Sequence, residues 1–423
     1  MEQYKERIHQ WLFDNRLRGT RILKRLVQEA SVQGAEKYAQ ALIVEKLRQL
    51  GLHIDIWTPD IRQLQQHKGF IATRMSFEDS PNVVAVLKGT GGGRSIILNG
   101  HIDVVPEGDE SSWTYDPYSA YIKDGKLYGR GSSDMKGGQT ALLLAIEAIM
   151  SLGISLKGDV IFQSVIEEES GGAGTLACLL RGYRADAALI PEPTNMQIFS
   201  KQQGSMWFRM KVRGKYGHGM PKYEGENAIE KAILVIDHLR ELEVKRNRRI
   251  QDSLFKQNAI PIPITIGKIE GGTWPSSIAD TVTLEGRMGV GWNEQLDEAR
   301  REMEEWLERL HGKYPCFEEH PVVLEWFGAQ WLPVDMNPSH ELVKVLMSQY
   351  DLVKRKEPEI GASRWGTDGG ILTNVGDIPT ILFGPGKMEA AHLPDEYIEL
   401  EHVFEAAEII ALTVISWCGT ADE

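Results

Sequence analysis

Imidazoles and carboxylates recur where apolar, β-branched runs of this sequence end. SIILNGH runs into His101 and Asp103, DVIFQSVI into Glu167, Glu168 and Glu169, ADAALIP into Glu192, and TILFGPGKMEAA to His392. Asp134 lies in GRGSSDMKGG, a glycine-rich turn feeding an apolar helix from Thr140. Histidine and carboxylate without cysteine make a nitrogen/oxygen donor set for a divalent metal. Two histidines and at least three carboxylates exceed the needs of one tetrahedral zinc. A pair of ions ~3.5–4 Å apart, bridged by a carboxylate, would use them all. Each residue alone has a plainer reading. A lone strand-end histidine is usually structural, three successive glutamates usually form a solvated helix start, and an aspartate before a helix is often a cap. The plain readings weaken together because all these residues are expected at corresponding sheet ends, each flanked by glycine or proline.

The elements that must position them follow from hydrophobic periodicity. Residues 1–52 read as two helices, in ERIHQWL and KYAQALIVEKLRQLGL, with Gly51 as a helix-terminating glycine. Strands NVVAVLKG and SIILNGHIDVV, helix TALLLAIEAIMSLG, strand DVIFQSVI, helix AGTLACLLRGY and strand ADAALIPE then alternate. Near-continuous apolar strands between helices predict a largely parallel sheet covered on both faces, whose functional groups gather at the carboxyl ends of the strands. From about Gly204 the order becomes strand, helix, strand, strand, helix, strand, the split βαβ pattern of ferredoxin-like domains. After about Trp331 the α/β style resumes. The expected architecture is an α/β fold: a mostly parallel-sheet catalytic domain (1–204 and 328–423) interrupted by an inserted α+β ferredoxin-like lid or dimerisation domain (205–327).

Composition bounds the function class. With 423 residues, 42% hydrophobic and 25% charged, the chain is ordinary globular material rather than disordered or fibrous. A net charge of −13 argues against nucleic acid or an anionic membrane as a general partner. No run approaches a membrane span, and the first residues lack a signal-peptide core. Three dispersed cysteines, Cys178, Cys316 and Cys418, argue against a disulfide framework and fit a cytoplasmic location.

Six blocks, GHIDVVP, GRGSSDMKGG, EEESGGAGT, PEPTN, GHGMPKYEGENAIEKA and AAHLPDEYI, resemble in order the two-zinc metallohydrolases that include acetylornithine deacetylase, succinyl-diaminopimelate desuccinylase, aminoacylase and glutamate carboxypeptidase. The resemblance covers roughly residues 80–400 and reads closest to the acetylornithine deacetylase branch. It implies that His101 and Glu192 hold one zinc, Glu169 and His392 the other, and that Asp134 bridges them. It implies Asp103 as the partner orienting the His101 imidazole, Glu168 as general base, and His218 as the donor to the oxyanion. In dimeric members that histidine reaches the partner's site, so the resemblance also implies a homodimer through the inserted domain. Zinc is the expected ion, with cobalt or manganese able to bind the same donors.

Substrate readings stay open. Arg287, ending TVTLEGR, matches an arginine that grips a substrate carboxylate in family members, a bidentate task suited to guanidinium; Arg364 in GASRWGTDGG is a second candidate. Where many members carry N-x-I-P, this chain reads TWPSSIAD, placing Ser276 and Ser277 there. Asp368 is expected to shape a loop rather than ligate metal, and Trp113 to line the cleft or simply pack. The leading expectation is removal of an acyl group from a small amino-acid-like amine. The alternatives are a dipeptidase or carboxypeptidase, and a deformylase of an N-formyl aminopyrimidine. A catalytically silent relative serving as a scaffold is disfavoured, because all five expected ligands and the base are present. KGTGGGRS lacks the G-K-[ST] of a phosphate loop and reads as a turn.

Overall fold

The computed structural model describes residues 1–67, 70, 74–215, 217–218 (backbone only), 225–256 and 259–421. The chain forms two compact units. One comprises Met1–Lys201, Val334–Ser363 and Thr367–Glu423; the other Gln202–Pro333 and Arg364–Gly366.

The first unit is built on a nine-stranded sheet. Eight strands run in the order His53–Trp57, Asn82–Leu87, Val160–Val165, Ile96–His101, Ala187–Ile190, Thr380–Leu382, Ile198–Gln202, Val334–Asp335, and Ile360–Ser363 pairs with Ile198–Gln202. Its centre is parallel: Ile96–His101 lies between Val160–Val165 and Ala187–Ile190, which pairs in turn with Thr380–Leu382. This parallel centre is the sheet that the sequence pattern predicts, and antiparallel pairs flank it. His53–Trp57, Asn82–Leu87 and Val160–Val165 pair antiparallel, as do Thr380–Leu382 and Ile198–Gln202. Burial on both faces makes an apolar run look the same in either direction, so composition does not reveal strand polarity.

Two apolar helices, Gly137–Ser151 and Leu400–Cys418, are buried along most of their length and pack on each other. The N-terminal segment holds three helices rather than two: Glu2–Asp14, Arg16–Gln28 and Lys37–Gln49. The middle helix is masked in sequence by its arginines and lysines, yet its narrow apolar stripe of Leu23, Leu26 and Val27 is fully buried. Gly138 at the start of the apolar helix is required by close approach. A Cβ there would lie 2.1 Å from the Pro191 carbonyl oxygen, one residue before Glu192.

The second unit is a four-stranded antiparallel sheet in the order Ile264–Gly271, Thr281–Val290, Gly204–Arg213, Val323–Trp331. Its helices, Ala228–Asn247 and Leu296–Lys313, share one core with the sheet through Phe208, Met210, Leu239, Leu284 and Met303. Chain order and strand order together are ferredoxin-like. No helix among the described residues is long and apolar enough to cross a membrane.

Candidate metal centre

Parallel pairing places the carboxyl ends of three central strands at one edge of the sheet, and the chemistry collects there. His101 is the last residue of Ile96–His101 and is 1% exposed. Its Nδ1–H donates to the main-chain carbonyl of Asp103 at 2.8 Å, which leaves Nε2 facing Asp134 Oδ1 at 3.1 Å. The imidazole is thus oriented by the Asp103 backbone. The Asp103 carboxylate lies 3.7 Å from Nδ1 and accepts instead from the backbone N–H groups of Glu168 and Glu169 at 3.3 and 3.1 Å. One residue therefore fixes both a histidine and the turn carrying two glutamates.

Asp134 presents its two oxygens to two different imidazoles: Oδ1 to His101, Oδ2 to His392 Nε2 at 3.2 Å. His392 Nε2 also lies 3.0 Å from Glu169 Oε1. Ligand atoms of His101, Asp134 and Glu169 lie within 4.8 Å of one another. His392 takes a left-handed backbone, φ 61°, sparsely populated for a non-glycine residue. Glu192 is 2% exposed, and its Oε1 has no hydrogen-bond partner among the described residues.

The electrostatics follow from burying so many acids together. Burial raises the Glu192 carboxyl, and the charge of Asp134 raises it further. Burial likewise raises Glu168, with the charges of Glu192, Glu169 and Asp368 adding while His101 opposes. For Asp134 burial is overcome by hydrogen bonds to His101 and His392, which hold it well below the usual carboxylate range. Burial works against a charged His392, but Glu169 and Asp134 outweigh it and push its pKa up to about 11. A field that favours imidazolium so strongly favours a divalent cation for the same reason. An aspartate facing two imidazoles, an orphaned buried Glu192 oxygen and an all-nitrogen/oxygen donor set fit a two-metal site.

The turn of Glu168 and Glu169 has a support that the sequence pattern did not disclose. Glu167 is 1% exposed rather than solvated, with φ 65°. Arg74 Nε lies 2.8 Å from Glu167, and Arg74 Nη2 lies 3.0 Å from the fully buried Glu36. Gln33 and Ser170 also donate to Glu167, at 3.1 and 3.0 Å. Asp368 accepts from Thr175 Oγ1 at 2.7 Å in a buried setting. Trp113 donates its indole N–H to the Glu107 carbonyl and packs under the Arg130 guanidinium at 5.1 Å.

The remaining candidates lie in the second unit. His218 and Ser277 are direct partners in a two-stranded ladder, while the His218 side chain falls outside the described residues. Ser276 is exposed and Ser277 half-buried. Arg287 is half-buried on Thr281–Val290, its pKa lowered by burial, and its guanidinium has no hydrogen-bond or ion-pair partner among the described residues. Arg364 is exposed and likewise unpaired among them.

Comparison with known proteins gives a concordant picture. Residues 97–416 match the family model described as Peptidase family M20/M25/M40. Over 407 residues the chain is 34% identical to N-formyl-4-amino-5-aminomethyl-2-methylpyrimidine deformylase of Bacillus subtilis (strain 168), covering 91% of this chain and 90% of that protein. Its fold is similar to that of Dug1p, a dipeptidase of Saccharomyces cerevisiae, with TM-score 0.77 at 14% identity over 99% of both chains. It is also similar to that of the YXEP protein of Bacillus subtilis, described as a dinuclear metal-binding peptidase of the M20 family. There the TM-score is 0.63 at 17% identity, covering 97% of this chain and 98% of that one.

Proposed function

The chain belongs to peptidase family M20/M25/M40 and is a metal-dependent amidohydrolase; from that premise we propose that it removes the formyl group from an N-formylated aminomethylpyrimidine. The observation that carries this reading is the 34% identity, sustained over nine-tenths of the chain, to a relative named for that reaction. The acetylornithine deacetylase branch expected from the sequence blocks gains no comparable support.

In this reading His101 and Glu192 would hold one ion and Glu169 and His392 the second, with Asp134 shared between them, as its divided contacts suit. When bound, the ion pair supplies Lewis-acid polarisation of the amide carbonyl and lowers the pKa of water. Glu168, its carboxyl raised above the ordinary range by burial, takes the proton of the attacking water and delivers it to the leaving amine. Asp103 keeps Glu168 and Glu169 in register with His101. His218 donates to the developing oxyanion. Two copies pair through the inserted unit, whose exposed Ile233, Ile269 and Trp274 offer apolar surface.

One observation favours a second substrate class. A half-buried arginine whose side chain has no partner among the described residues, Arg287, suits a substrate carboxylate, which an N-acyl amino acid or dipeptide has and a formylated pyrimidine lacks. Metal-reconstituted protein should be assayed against an N-formyl aminomethylpyrimidine, N-acetyl amino acids and dipeptides. The proposal expects kcat/KM at least 100-fold higher for the formyl substrate, with KM unchanged in Arg287→Met. A preference for carboxylate-bearing substrates, with KM raised tenfold or more by that substitution, would overturn it in favour of the second class.

A further inference from the structure

The two segments carrying Asp134 and His392 are far apart in sequence but meet on one buried side chain, Glu396. It is 0% exposed. Its Oε2 accepts from Arg130 Nη1 at 2.7 Å and the Gly131 N–H at 3.0 Å; its Oε1 accepts from the Ser133 and Asp134 N–H groups at 2.9 and 3.1 Å. Its main-chain carbonyl takes the Gly129 N–H at 2.8 Å. The loop of residues 129–134 is therefore folded around one carboxylate that lies four residues beyond His392. We propose that Glu396 is the positioning residue that sets the Asp134 carboxylate against His392, so that both can serve one metal. It touches neither substrate nor metal, and the inference rests on the two-metal reading above.

The physics is a satisfied acceptor set. A buried carboxylate charge is tolerated here because three backbone N–H groups and one guanidinium are all aimed at it. Each of those N–H groups is in turn fixed in direction, and the last belongs to Asp134 itself. Glu396→Gln keeps the shape but replaces one oxygen by an NH2, so one pair of donors faces another donor. Either orientation of the amide loses two of the four bonds.

The test is titration of the chelator-stripped full-length protein with Co2+, followed by calorimetry and by visible absorption. The parent is expected to bind two ions. Glu396→Gln is expected to bind at least one of them 10–100-fold more weakly, as for other groups that orient ligands, with an altered visible spectrum. Ser133→Ala removes the hydroxyl that bonds Lys387 across the same two segments but leaves the carboxylate in place. It is expected to keep the parent affinity within twofold. Unchanged affinity and spectrum in Glu396→Gln, or an equal loss in Ser133→Ala, would overturn the assignment. A parent that binds no Co2+ would overturn the metal centre itself, a distinguishable outcome. Should Glu396→Gln fail to fold, amide hydrogen exchange on the stripped parent decides. Slow exchange at Gly131, Ser133 and Asp134 supports the clamp, and fast exchange refutes it.

Discussion

Asp368 offers a quantitative test of the electrostatic account. It is 1% exposed, with Oδ2 bonded to Thr175 and Oδ1 unpartnered among the described residues. Burial raises its pKa to about 6 from the ordinary 3.8, against the lowering effects of the Thr175 bond and the charge of His101. An acid that holds its proton more tightly folded than unfolded lowers stability as pH rises. The cost is absent below pH ~4, grows between about 4 and 6, and is complete above that. A difference of about two in pKa corresponds to about 3 kcal/mol, roughly half of it falling between pH ~5 and ~7.5. Asp368→Asn abolishes the ionisation and leaves one buried amide donor, a cost of about 1–3 kcal/mol that does not vary with pH. The informative quantity is therefore the pH dependence of the difference between variant and parent. Urea unfolding of the chelator-stripped proteins at pH ~5 and ~7.5 should show the variant gaining about 1.5 kcal/mol on the parent as pH rises. A change below about 0.5 kcal/mol would refute the desolvation argument. The charge of Asp368 also adds to the burial that raises Glu168. The acid limb of kcat/KM should accordingly move to lower pH in the variant.

Glu168→Gln should lower kcat by about 10²–10⁴-fold, the range for a lost general base, while leaving two ions bound per chain by metal analysis; near-parental turnover would assign the base elsewhere. Arg74→Met strands the charges of Glu36 and Glu167, which are 0% and 1% exposed. Loss of about 3–5 kcal/mol of stability is expected from breaking such a buried pair, readable as a fall in the urea midpoint. Of the three thiols, Cys316 should react with Ellman's reagent in the native protein. Cys178 and Cys418 should react only after denaturation, since both are buried and burial pushes the Cys418 thiol up to about 12.

Much of this protein is local, and local information is legible in sequence. Period-3.6 and near-continuous apolar runs locate the helices and strands, and the order of elements from Gly204 to Trp331 already implies a ferredoxin-like unit. The candidate donors His101, Asp134, Glu169, Glu192 and His392 and the candidate base Glu168 stand out because each follows an apolar run or sits in a glycine-rich turn. What sequence does not carry is which distant groups meet, because a pairing between remote residues leaves no periodic trace. Glu167 looks like part of a solvated acidic run until Arg74 and Gln33 are brought to it. Asp103 reads as the partner of a histidine, but sequence does not tell that its carbonyl accepts from the imidazole while its carboxylate caps the next turn. Glu396 carries no signal of its own beyond lying in the block that ends the resemblance, and becomes meaningful only when the 129–134 loop closes around it. Donor types and element order are properties of short stretches of chain. Donor geometry is set by burying charges that must all find partners at once, and only the folded sheet edge decides how they do so.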